Sequence, residues 1–387
     1  MTRTHVVVIG GGYAGTLAAN HLRVRPDIDV TLVNPRPAFV ERIRLHQHVA
    51  GTYRATVDYG TLLGDGVQLL VDKATRINAA DRRVDLASGR ELTYDYLIYA
   101  AGSTGAVPAS VPGAAEFAYP VAEFEPAQRL QHRLDEVPPD APVTVVGGGL
   151  TGIETSSELA EQGRAVTLVC GGVLAPSLSA PGRRSVAKAL RRLGVEVRES
   201  AKVTEVRPDA VVLQDGSMLP SAVTVWTAGF GVPDLATASG LATDPLGRLL
   251  TDETLTSVDN PWIVAAGDAA APSGQPLRMS CQAAGPMGAQ AANTVVSRIA
   301  GTEPAALNQG FTGQALALGR HAATIQFARL DDTPINAYLG GRLGAALKEA
   351  VCKATVWSIR RAAAKPASVF WVKGGRRPVP AEQDEMV

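Results

Sequence analysis

Cysteine is scarce in this chain of 387 residues: only Cys170, Cys281 and Cys352 occur, far apart from one another. They form no CxxC pair, no metal-ligand spacing and no disulfide framework, so a reducing compartment fits best. Net charge is also missing. The 37 basic residues balance 37 acidic ones, which argues against a nucleic-acid partner. No run approaches the roughly 18 apolar residues of a membrane-crossing helix. The first apolar strand begins at His5 or Val6, leaving no room for a secretory leader. These absences imply a cytoplasmic chain long enough for two or three domains.

What is present is organised around glycine. Residues 5–9 read as a strand buried on both faces. Gly10-Gly11-Gly12-Tyr13-Ala14-Gly15 follows at once, then a helix from Thr16 and a second apolar strand over 29–33. This is a right-handed βαβ unit with the GxGxxG fingerprint in register. Gly10 serves the tight turn, Gly12 the close approach of a pyrophosphate, and Gly15 the packing of helix on strand. The helix N-terminus offers unpaired N–H groups to the phosphates.

The pattern recurs. Residues 142–146 lead into Gly147-Gly148-Gly149-Leu150-Thr151-Gly152, an amphipathic helix and a strand over 165–169. Two fingerprints imply two dinucleotides with electron transfer between them. Both units lack the acid expected about twenty residues past the last glycine. Asn34 stands in the first, an amide able to bond a ribose hydroxyl, and Cys170 in the second. No arginine follows Cys170; Gly171 and Gly172 come next, and Arg183 and Arg184 are the nearest in sequence. NADH against NADPH stays open.

With these motifs the sequence resembles the two-dinucleotide-binding-domain flavoproteins of the pyridine nucleotide-disulfide oxidoreductase superfamily, in the type II NADH dehydrogenase-like branch. The likeness covers about residues 5–300 and also includes Tyr94–Ser103, Gly152-Ile153-Glu154, Trp226–Phe230 and Asn260–Asp268. It implies an α/β fold of two Rossmann-like domains, the second inserted in the first. The FAD domain would span 1–107 and 230–300, the NAD(P)H domain 108–229, and a small α+β region 301–387. The implied cofactors are FAD and NADH or NADPH. Gly267 and Asp268, at the end of a buried strand, would meet the ribityl chain, where ligands bind in open parallel sheets. The helix after Ser280 would aim its dipole at the flavin.

On the same resemblance Glu154 lies near the nicotinamide and Gln282 borders the acceptor. The flavin set adds Ala74, Ala101, Gly102 and Cys281, and the nicotinamide set adds Gly229 to the second loop and Cys170. Cys281 is a flavin neighbour or merely a small buried hydrophobe. In this family the segment corresponding to residues 41–48 reaches the flavin; if it does so here rather than forming a solvated loop, Arg44 and Gln47 are the expected phosphate and ring contacts. One departure is plain: Pro286 stands where the dehydrogenases present a second glutamine to quinone, and a proline there should kink the helix. Cysteines required by disulfide reductases near residue 45, and by sulfide:quinone reductases in the second loop, are absent.

Beyond residue 301 the pattern changes. Residues 311–320 and 322–327 read as two strands, and 342–361 as a helix with Leu343, Leu347, Val351, Ala354 and Trp357 on one face. Residues 342–377 hold nine Lys or Arg against Glu349 alone, a net of +8. Such a helix can lie on the inner face of an anionic membrane; packing on the FAD domain or a homodimer contact are the alternatives. Residues 378–387 read as a frayed tail. The expected function is transfer of hydride from NAD(P)H to FAD and of electrons to a quinone or other small acceptor. A ferredoxin reductase-like protein and a non-enzymatic redox sensor are the alternatives.

Overall fold

The computed structural model describes residues 3–375 and 377; the expected tail at 378–387 lies outside them. A five-stranded parallel sheet runs in the order Ile263–Ala265, Tyr96–Tyr99, Thr4–Ile9, Ile28–Asn34, Val67–Val71. Its central strand is buried from Val6 to Ile9: helices Tyr13–Leu22 and Cys281–Ile299 pack on the sheet, and the antiparallel strands Ala74–Asn78, Arg83–Leu86 and Glu91–Thr93 contribute Ile77, Val84 and Leu86 to the same core. The chain leaves this sheet after Tyr99 and returns only for its edge strand, Ile263–Ala265. In between it builds a second parallel sheet in the order Ala118–Pro120, Val223–Trp226, Val143–Val146, Val166–Val169, Glu196–Arg198. Two Rossmann-type units thus lie in one chain, the second interrupting the first.

Small residues decide how the first unit closes. Helix Tyr13–Leu22 lies against helix Cys281–Ile299 so tightly that a methyl group added at Gly288 would sit 2.1 Å from the Ala14 carbonyl oxygen. The long helix passes through Pro286 as one element, so the expected kink does not end it. Proline removes the N–H that would bond the Gln282 carbonyl; Gln309 Nε2 donates to that oxygen instead, at 2.6 Å.

The C-terminal region holds a three-stranded antiparallel sheet, Gly313–Ala317, Ala323–Ala328 and Pro334–Gly340, then helix Gly341–Ala364. The third strand was not expected, because it opens on proline and is mostly exposed. Of the alternatives for the helix, the apolar stripe read from the sequence is not the one that packs. Leu343, Leu347, Val351 and Trp357 point to solvent, whereas Gly344, Cys352, Val356, Ile359 and Ala362 are buried. Lys348 falls in the middle of that buried stripe, which hides it from a hydrophobic reading. Gly344 is required there, since a methyl group would lie 2.8 Å from the Ala323 carbonyl oxygen.

Candidate functional site

The first glycine loop is held by its neighbours. Gly10 adopts a φ of +99°, and a methyl group on it would meet the Ala100 carbonyl oxygen at 2.3 Å. Gly11 is gripped from both sides: its N–H donates to Asn34 Oδ1 at 2.9 Å, and its carbonyl accepts from the Tyr59 hydroxyl at 2.6 Å and from Thr16 at 3.0 Å. Asn34, read as a ribose contact, therefore braces the loop, while its Nδ2 donates to the Arg36 carbonyl. In front of Gly12 nothing lies within 4 Å, and the helix that starts there has no side-chain cap. The free N–H groups and open space fit a pyrophosphate.

The second loop repeats this. Gly147 has a φ of +124°, a methyl group on Gly152 would meet the Gly147 carbonyl at 2.0 Å, and the space before Gly149 is open. Helix Leu150–Glu161, with Leu150 and Thr151 in its first turn, also lacks a side-chain cap. The supports differ, however. Thr227 donates to the Val146 carbonyl at 2.8 Å, and the Cys170 thiol lies under Gly148 where Asn34 stands in the first loop.

Asp268 sits just past strand Ile263–Ala265, beside Gly267, whose φ is +75°. Its Oδ2 accepts from the Ser103 hydroxyl at 2.6 Å and lies 3.9 Å from Arg42 Nη1. Arg42 also donates to Ser103 Oγ at 3.0 Å and to the Ala122 carbonyl at 2.9 Å. Ala101 and Gly102 (φ +73°) complete the turn beside it. Arg42 and Ser103 escaped the sequence reading, because Arg44 in the same segment offered the same charge. Arg44 is placed elsewhere: Glu349, 305 residues away, takes both of its terminal nitrogens at 3.0 Å, and Gln47 Oε1 accepts from it at 2.9 Å. Arg44, steadied by Gln47, thus joins the C-terminal helix to the first unit, and the guanidinium is not free for a phosphate. Ala74 is buried in the first core at the start of strand Ala74–Asn78, and Gly229 takes a φ of +97° where the chain leaves the second sheet.

Glu154 anchors a buried polar junction of three regions. Lys348 Nζ lies 3.0 Å from its Oε1, which also accepts from the Ala317 N–H at 2.9 Å; His46 Nδ1 is 3.7 Å from Oε2. Lys348 further donates to the Ala315 carbonyl at 2.8 Å. Burial pushes the Glu154 carboxyl up, but Lys348, helped by the Ala317 N–H, outweighs it and holds it below the usual range. Burial likewise opposes the Lys348 charge, and Glu154 restores and raises it. Lys348 is near enough to the start of helix Cys281–Ile299 to pull on the Cys281 thiol, which burial raises overall. Lys348 was missed because a lone lysine in a basic helix reads as solvated.

His46, which normally titrates near 6.5, is kept neutral down to about 4 by burial, with Lys348 and Arg44 overcoming part of the pull of Glu154. A histidine with a lowered folded-state pKa lets the unfolded chain bind the proton first. Stability is therefore expected to fall as pH drops from 6.5 toward 4, by about 1.4 kcal/mol per unit from this group. Thermal unfolding across that window should show a steeper loss in the parent than in His46→Gln; equal slopes would refute the assignment.

A pocket of about 330 Å³ opens beside the start of the same helix. Its lining includes Tyr13, Cys281, Gln282, Pro286, Trp357 and Trp371. The side-chain amide of Gln282 lies 2.8 Å from Thr312 Oγ1. The arrangement can admit a flat apolar molecule to the N-terminal turn of helix Cys281–Ile299.

The family model for pyridine nucleotide-disulphide oxidoreductases matches residues 4–293. An NADH dehydrogenase-like protein of Mycobacterium tuberculosis is 35% identical over 324 residues, covering 76% of this chain and 80% of that one. Terpredoxin reductase of a Pseudomonas species is 31% identical over 70% of this chain and 68% of its own length. The solved structure of NDH2 from Plasmodium falciparum in complex with NADH shares the fold, with a TM-score of 0.79 and 17% identity over 93% of this chain and 97% of that one. With its two uncapped glycine loops and this sequence kinship, the chain belongs to the pyridine nucleotide-disulphide oxidoreductase family and is an FAD-dependent NAD(P)H oxidoreductase of the type II NADH dehydrogenase-like branch.

Proposed function

We propose that the protein passes electrons from NAD(P)H to a quinone-like acceptor seated in the pocket between Pro286 and Trp357. The proposed division is an FAD domain of 1–107 and 230–300, an NAD(P)H domain of 108–229 and a C-terminal region from 301. The first loop would hold FAD with Arg42, Ser103 and Asp268 along its chain, and the second would hold the nicotinamide nucleotide. Bound flavin supplies hydride acceptance and storage of two electrons. The chain's own residues do the rest. Glu154 and Lys348 keep a buried ion pair at the junction, and the helix beginning at Cys281 has its positive end nearby. The apolar pocket excludes water beside them.

The observation that carries the quinone reading is the apolar lining of that pocket, next to the solvent-facing stripe of the C-terminal helix. No helix among the described residues is long and apolar enough to cross a membrane. The stripe of Leu343, Leu347, Val351 and Trp357 instead supports contact with a membrane surface, where a quinone is dissolved. Likeness to terpredoxin reductase supports the other acceptor class, a small iron–sulfur protein. Steady-state turnover should therefore be measured with quinone in anionic vesicles and, separately, with a ferredoxin. Quinone turnover is expected, and Leu343→Asp with Leu347→Asp, two exposed residues outside the pocket lining, should lower it about tenfold or more in vesicles while sparing turnover with a water-soluble quinone. Turnover with ferredoxin alone would reverse the reading.

A further inference from the structure

The strand Val166–Val169 ends on Cys170, and the missing acid at this position leaves the coenzyme choice open on sequence grounds. The fold brings a different acid to the same place. Strand Glu196–Arg198 pairs in parallel beside Val166–Val169, and the residue that follows it, Glu199, reaches across the loop after Cys170. Its Oε1 accepts from the Leu174 N–H at 2.6 Å. The loop is stapled to the same segment along its length: the Cys170 N–H donates to the Arg198 carbonyl at 2.8 Å, Ser200 to Gly172 at 2.8 Å, and Ala201 to Cys170 at 2.9 Å. The glycine loop is directly beneath, since a methyl group on Gly148 would meet Cys170 Sγ at 2.6 Å and the Val173 carbonyl at 3.3 Å. Burial pushes the Cys170 thiol up to about 11, and the Glu199 carboxylate adds to it, so the two groups share one field.

The loop itself carries no positive charge. Residues 171–182 contain no Lys or Arg, and the Arg198 guanidinium is held by Glu196 at 2.5 Å. A 2′-phosphate needs an arginine or lysine partner, whereas a 2′-hydroxyl needs an acceptor. Glu199 is exposed and only its Oε1 is taken by the Leu174 N–H, which makes the carboxylate available as that acceptor.

Building on the function proposed above, we infer that Glu199, carried by the neighbouring strand, replaces the absent acid after Cys170 and makes the enzyme select NADH over NADPH. One carboxylate oxygen shapes the loop; the other accepts from the adenosine ribose and repels a 2′-phosphate.

The test is anaerobic flavin bleaching of the purified holoprotein by NADH and by NADPH, with rate against concentration for each. The parent should favour NADH by about tenfold or more in the second-order rate. Glu199→Gln keeps an oxygen for the Leu174 N–H but loses the charge, so the fold and loop are retained. It should cut the NADH-to-NADPH ratio about tenfold, chiefly by improving NADPH. Glu205→Gln, which removes a half-buried acid paired with Arg207 farther along the chain, should leave the ratio unchanged. Equal rates with both nucleotides in the parent, a preference for NADPH, or an unaltered ratio in Glu199→Gln would each overturn the inference while leaving the oxidoreductase reading intact. Failure of both nucleotides to bleach the flavin would overturn the function itself, and this inference with it.

Discussion

Purified with Gly15 replaced by alanine, the protein is expected to come off colourless, whereas Gly152→Ala should remain yellow yet resist bleaching by NADH. The two substitutions are the same chemical change at equivalent points of the two loops. At Gly15 the new methyl group would stand 1.8 Å from the Gly10 carbonyl oxygen, and at Gly152 it would stand 2.0 Å from that of Gly147. Both obstacles are backbone, so no side chain can turn aside. The helix must lift from its strand, which misaims the uncapped N–H groups meant for the phosphates. Overpacking of this kind costs about 1–3 kcal/mol or more, which is about 5- to 150-fold in nucleotide affinity. Flavin content per chain, read from the visible spectrum, checks the first; anaerobic titration with NADH checks the second. A yellow Gly15→Ala protein with a full flavin complement, or normal bleaching of Gly152→Ala, would show that the loops have been assigned wrongly.

Lys348→Met is expected to lower both stability and turnover, and Glu154→Gln added to it should restore much of the stability but not the turnover. The side chains are only 15% and 11% exposed. Removing the ammonium leaves a carboxylate with the Ala317 N–H and a neutral His46, which is a poor substitute for a paired charge. Breaking one partner of a buried pair costs about 3–5 kcal/mol, whereas replacing both by neutral groups of similar size is often close to neutral. A double-mutant cycle in thermal or urea unfolding separates these outcomes. Strictly additive losses would show that the two groups do not interact. A turnover that recovered along with stability would confine the pair to holding the C-terminal helix in place.

Much of the site was readable from local pattern because its chemistry is made by backbone. A strand, a glycine turn and a helix are contiguous in sequence, so Gly10, Gly12 and Gly15, and likewise Gly147, Gly149 and Gly152, declare their roles by spacing alone. Asp268 at the end of a buried strand reads from spacing equally as a helix cap or a ligand contact, and only the family resemblance pointed to the second. Side chains that act across long separations were not. Arg42 and Arg44 look interchangeable in the segment Arg42-Ile43-Arg44, and only Glu349 on a distant helix shows which one is consumed by an ion pair. Asn34 carries the right group for a ribose but spends it on Gly11. The C-terminal helix shows the same limit: its apolar residues fall on two stripes, and periodicity favours the stripe that Lys348 does not interrupt.

The sequence by itself determined that this protein has two dinucleotide-binding loops in one α/β chain, because each loop's geometry follows from residues adjacent in the chain. Only the tertiary structure decided what surrounds them. It brought Glu154, His46 and Lys348 into one buried junction, gathered Pro286 and Trp357 into the lining of one pocket, and placed Glu199 beside the loop that lacks its own acid. Those arrangements depend on which strands pair and which helix covers them, and the energy that selects them comes from burial shared among residues hundreds of positions apart.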